Sequence, residues 1–186
     1  MSHHFNSRLA QKETEALRCI ASLMLESPKF KGKSDYLVNT PMSFDNTIHV
    51  PFIIGEEEPY WPAWLQVRTC VHEHQHILQG QKEGWAIRDI HYLTKSAFRA
   101  QYEAEAYACD MQLEFWRLGA SFSFYKFIDE RSLILRSYGC GPNDIRKAQK
   151  YLRDCTEKIV KGELENPPVK KAIEWLDQNA PGLKMH

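Results

Sequence analysis

Neither sign of charge prevails in these 186 residues: Lys and Arg total 24, and Asp and Glu total 24. A chain without net charge has no long-range field to draw it to nucleic acid or an anionic membrane, so neither is expected as its main partner. Long apolar runs are missing as well. Spanning a bilayer takes about 20 consecutive apolar residues, and the N-terminal segment lacks the apolar core of a secretion signal. A soluble, cytoplasmic protein is the expectation. The cysteines, Cys19, Cys70, Cys109, Cys140 and Cys155, are odd in number and widely spaced. That pattern argues against a disulfide framework or a Cys-x-x-Cys zinc knuckle, and reduced thiols are expected. No Gly/Ser-rich or Pro-rich linker divides the chain, and a hydrophobic content of 43% suffices for a sizeable core. One domain over residues 1–186 follows.

What the chain does contain is His72-Glu73-His74-Gln75-His76. Residues four apart on an α-helix lie above one another, so His72 and His76 can offer two imidazole nitrogens to one tetrahedral ion. Glu73 is then one step round the helix, beside the ion's open position. A carboxylate there can take the proton of a water as it attacks a carbonyl carbon. Helicity is supported by the absence of Gly and Pro from Ala63 to Gln79, with Pro62 at the entrance and Gly80 and Gly84 beyond the expected end. Trp64, Val67, Val71, His74 and Leu78 recur at three- and four-residue steps and form a core-facing seam. His74 is therefore expected to be a core or supporting histidine rather than a ligand.

Catalytic zinc sites use three protein ligands, so a third donor is required. Glu103 and Glu105, on a second long helix, point in nearly opposite directions, and only one can face the ion. His91 is a further rival, either as a ligand or as a group that steadies an oxyanion. The pattern His72-Glu73-x-x-His76 followed by Glu103-x-x-Ala106 resembles the gluzincin class of zinc metallopeptidases, particularly its small single-domain members. The resemblance covers roughly residues 47–114. It implies peptide-bond hydrolysis of a peptide or protein substrate, Zn2+ held by His72, His76 and Glu103, and Glu73 as general base. The sequence departs from the class at Tyr107, where an Asp often orients a ligand histidine. Asp110, two turns beyond Glu103 on the same face, is the expected substitute. Tyr92, His91, Tyr107 and Tyr138 are candidate oxyanion partners. The alternative function is a non-catalytic zinc-binding structural or interaction protein within a larger assembly.

The fold expected around this motif is α+β and mainly helical, with a small edge-strand sheet packed on the zinc helix and on the Glu103-bearing helix. Helix Ser7–Glu26 should come first, then strands at Tyr36–Thr40 and Thr47–Ile54. Pro51 would put the second strand at an edge or give it a bulge, and the strand would either receive an extended substrate or merely cover the zinc helix. Residues 85–93 read as either strand or helix. The Glu103 helix should start near Thr94 or Ser96 and end at Leu118 before Gly119, with Phe98, Tyr102, Ala106, Cys109, Leu113 and Trp116 inward and Glu103, Asp110 and Glu114 on another face. C-terminal helices are expected over 122–137, 143–161 and 169–178. Cys70 and Cys109 are expected to be inert thiols, and the His3-His4 pair a mobile terminus.

Overall fold

The computed structural model describes residues 41–44 and 46–185. The expected Ser7–Glu26 helix, the Tyr36–Thr40 strand and the His3-His4 pair lie outside the described residues. Those that are described form a mainly helical α+β fold with a two-stranded antiparallel sheet. The chain order is β1 (Met42–Phe44), β2 (Thr47–His49), α1 (Ala63–Glu83), α2 (Trp85–Thr94), α3 (Ser96–Leu118), α4 (Phe124–Ser137), α5 (Pro142–Lys161) and α6 (Pro167–Asn179). Among these residues no helix is long and apolar enough to cross a membrane.

The hairpin pairs Met42 with His49 and Ser43 with Ile48, and it lies against α1. Strand β2 is shorter than expected. It stops at His49 because Pro51 has no N–H to give a ladder, and Phe52 turns inward, 7% exposed, with its ring 4.8 Å from that of Trp61. Gln66 then rivets the following loop to α1. Its Oε1 accepts from Gly55 N–H at 2.9 Å, and its Nε2 donates to the carbonyls of Glu56 (2.6 Å) and Trp61 (2.8 Å).

Helix α1 runs past Gly80, where its end was expected, to Glu83. Gly80 is there for contact: a Cβ at this position would stand 2.5 Å from Cε3 of Trp85. The turn is made instead by Gly84, whose φ of 87° suits a residue without a Cβ. Residues 85–94 are helical, with Arg88 and Tyr92, one turn apart, facing inward. Arg99 closes the end of α2 by donating from Nη1 to the carbonyls of Tyr92 (2.6 Å) and Leu93 (3.3 Å), which an α-helix otherwise leaves without partners.

Helix α3 is the axis of the molecule. Ala100, Ala104, Ala106 and Ala108 are at most 1% exposed, and their small side chains let neighbouring helices approach closely. One core, including Ala104, Ala108, Met111, Phe127, Leu135, Leu152 and Ile159, joins α3 to α4 and α5. A second, with Val71, Cys109, Leu113, Val169 and Leu176, joins it to α1 and α6. Helix α3 ends at Leu118 with Gly119 as its cap, and α4, α5 and α6 begin within two residues of the expected positions.

Candidate metal centre

Helix α1 carries His72 and His76 one turn apart, with ring centroids 4.9 Å apart and planes at 81°. Across from them α3 brings Glu103, whose Oε2 lies 3.7 Å from His72 Nε2. The donor atoms of His72, His76 and Glu103 all lie within 4.8 Å of one another, so these three could hold a metal ion. Glu73, on the same turn of α1, is 7% exposed, and its charge acts on His72.

Both imidazoles are held from behind. Nδ1 of His72 faces Asp110 Oδ2 at 3.2 Å, and Nδ1 of His76 faces Gln79 Oε1 at 2.8 Å. An acceptor at Nδ1 keeps the proton there and leaves the Nε2 lone pair for a cation. Asp110 thus occupies the supporting position that Tyr107 vacates, and the Tyr107 ring instead packs 5.4 Å from that of His72. Gln79 is the residue that sequence reasoning missed. Its Nε2 donates to the Tyr102 carbonyl at 3.0 Å and to Glu105 Oε2 at 2.8 Å, which turns its Oε1 toward His76. Glu105, the rival third donor, therefore stands behind Gln79, and it is Glu103 that converges with the histidines. Gln79's place one turn beyond His76 on the same helix was the signal available.

The tyrosines crowd the opposite side. Tyr92 donates its O–H to Glu103 Oε1. Burial, then the Glu103 charge, push both the Tyr92 and Tyr107 phenols well above their ordinary range, and Tyr138 adds to both shifts. His91 is elsewhere: it stacks on Phe98 with centroids 4.1 Å apart, and its Nδ1 lies 4.0 Å from Glu83 Oε2. His74 is half-buried, and desolvation followed by the charge of Lys171 on α6 lowers its pKa. Cys70 and Cys109 are thiols whose pKa is raised first by burial, in keeping with inert side chains.

Apart from any bound ion, the surroundings push the two histidines in opposite directions. Burial disfavours the charged form of His72, but the charge of Asp110, its hydrogen bonds to Asp110 and Glu103, and the charge of Glu73 prevail and raise its pKa to about 10. For His76 burial wins, with Arg88 assisting, and its pKa falls well below the ordinary value. Glu73, Glu103 and Asp110 are each under 8% exposed around these rings. So much buried carboxylate beside two imidazoles fits a small divalent cation, because buried charge requires compensation. No family model, curated protein or solved structure matches this chain.

Proposed function

We propose that this chain is a zinc-dependent peptidase of the gluzincin kind, acting on a peptide or protein substrate. The observation that supports this is the convergence of His72, His76 and Glu103 beside the buried Glu73 carboxylate. Two imidazoles and one carboxylate suit zinc, and three protein donors leave a fourth position for water or substrate. When bound, zinc supplies Lewis acidity, polarising the scissile carbonyl and making a water acidic near neutral pH. The remaining steps belong to the chain. Asp110 and Gln79 keep the imidazoles in register. Glu73 accepts the water's proton as its oxygen attacks the carbonyl carbon, and returns that proton to the leaving amine nitrogen. Tyr107, whose ring packs on His72, is the hydroxyl best situated to donate to the oxyanion, with Tyr138 a second candidate. The free thiols of Cys70, Cys109, Cys140 and Cys155 suit a reducing, cytoplasmic setting.

A second reading, zinc held for structure without turnover, is favoured by the burial of His76 and Glu103, which are 5% and 3% exposed. One experiment separates the two. Elemental analysis of the purified protein, with His76→Ala as control, should find about one zinc per chain that the variant loses. Glu73→Gln should keep the metal yet abolish cleavage of a mixed peptide pool followed by mass spectrometry. Metal without any cleavage by the wild type would favour the structural role, and no metal even after reconstitution would remove both.

A further inference from the structure

Arg131 lies one ring away from His72, and among the described residues its charge is uncommitted. It projects from α4, with Cζ 4.6 Å from the centroid of the Phe127 ring and 5.3 Å from that of Tyr107. The Tyr107 ring is in turn 5.4 Å from His72. The Nε of Arg131 is buried without a hydrogen-bond partner, and among the described residues no carboxylate forms an ion pair with it. The Nε of Arg88, Arg99 and Arg117 is likewise buried without a partner, but Arg88 pairs with Asp89 at 2.8 Å and Arg99 donates to the carbonyls at the end of α2, while Arg117, over the Trp64 ring, is remote from the donors.

Among the described residues the His72 side chain is the more exposed of the donors that face each other, 16% against 4% for Glu103. A guanidinium held over two rings is partly withdrawn from water, and ring contact does not neutralise it. Its planar set of N–H donors matches a carboxylate, and charge-assisted hydrogen bonds of this kind are about twice as strong as neutral ones.

We propose that Arg131 is a specificity-determining residue that receives a substrate carboxylate, either an acidic side chain or a free C-terminus, near the bond to be cleaved. One intervening ring separates it from His72. An extended chain advances about 3.4 Å per residue, which places that carboxylate within about three residues of the scissile bond. The proposal rests on the peptidase reading above.

Its test uses the zinc-loaded full chain and three peptide hydroxamates: a neutral C-terminal amide, the matching free acid, and the amide carrying a Glu side chain. Titration calorimetry reads the affinity of each. The wild type should bind one of the carboxylate probes about ten-fold more tightly than the neutral amide, and whichever probe shows the gap identifies the source of the carboxylate. In Arg131→Gln the acid-to-amide ratio should fall to about one, while Arg131→Lys, which keeps the charge but loses the fork, should give an intermediate ratio. Equal affinities in the wild type, or a gap that survives in Arg131→Gln, would overturn the assignment and leave Arg131 as a packing residue. A zinc-loaded wild type that binds none of the three would instead remove the peptidase reading, and the role of Arg131 with it.

Discussion

At the scale of single residues, the groups behind the metal donors carry as much of the argument as the donors. Asp110 Oδ2 at 3.2 Å from His72 Nδ1 fixes both the tautomer and the ring plane. Removing such a supporting carboxylate typically costs 10–100-fold in metal affinity. Asp110→Ala should therefore weaken zinc binding by about that factor in competition against a chromophoric chelator, and Asp110→Asn by less, because it keeps an acceptor oxygen. Glu103→Ala should lose the metal. Glu105→Ala should retain it with a smaller loss, since Glu105 acts only through Gln79; the reverse order would move the third ligand to Glu105. Asp110 was legible in the sequence because helical spacing alone puts it on the face of Glu103. Gln79 was not, because its role depends on which way its amide is turned, and that is decided by the Tyr102 carbonyl and Glu105 on another helix.

At the scale of elements, the periodic helices were readable and the short extended pieces were not. Helix α3 combines an apolar seam, a buried acidic face and a terminal glycine, three local signals that agree, and its end falls at Leu118 as expected. The segment 47–54 has strand-forming side chains, but Pro51 breaks the ladder and burial of Phe52 bends the chain, so only Thr47–His49 pairs. In residues 85–94 the apolar pattern misleads, because Ile87 and Ile90 are exposed while Arg88 is buried, and the inward Arg88–Tyr92 pair, one turn apart, settles them as α2. Gly80 looked like a helix terminator because its tertiary partner, Trp85, could not be foreseen. This contact is testable. Ala is favoured over Gly in a helix by about 1 kcal/mol, yet a methyl 2.5 Å from the Trp85 ring must displace it, and overpacking of this kind costs about 1–3 kcal/mol. Gly80→Ala should thus be destabilising by about 1 kcal/mol in denaturant unfolding. Combined with Trp85→Ala, the same substitution should become stabilising, giving a coupling energy of opposite sign to simple additivity. Destabilisation that is unchanged in the double variant would mean the ring is not what reserves this position for glycine.

For the whole molecule, an ion at the proposed site and the apolar core would hold the same two helices by different means, so their contributions can be separated. His72 and His76 belong to α1 and Glu103 to α3, and a cation shared among them would tie the helices at one point of their contact. On other faces of the same pair, Val71, Cys109 and Leu113 tie them by packing, with Leu113 fully buried. A ligand that binds only the folded chain stabilises it by RT ln(1 + [L]/Kd), about 4 kcal/mol when free zinc is a thousand times Kd. For a chain of this length each kcal/mol moves the melting temperature by about 2–4 °C. Stripping the metal with a chelator should therefore lower the melting temperature by roughly 8–16 °C, and re-adding zinc should restore it. His76→Ala should melt at the chelated value whether or not zinc is supplied, whereas Glu73→Gln, which keeps every ligand, should show the full zinc-dependent shift. Leu113→Ala should cost about 2–5 kcal/mol through the cavity it leaves, and it should lower the metal-free and zinc-loaded melting temperatures together, because the packing contact and the ion are distinct ties. A Glu73→Gln protein that fails to respond to zinc would place Glu73 among the ligands and take away its role as the base.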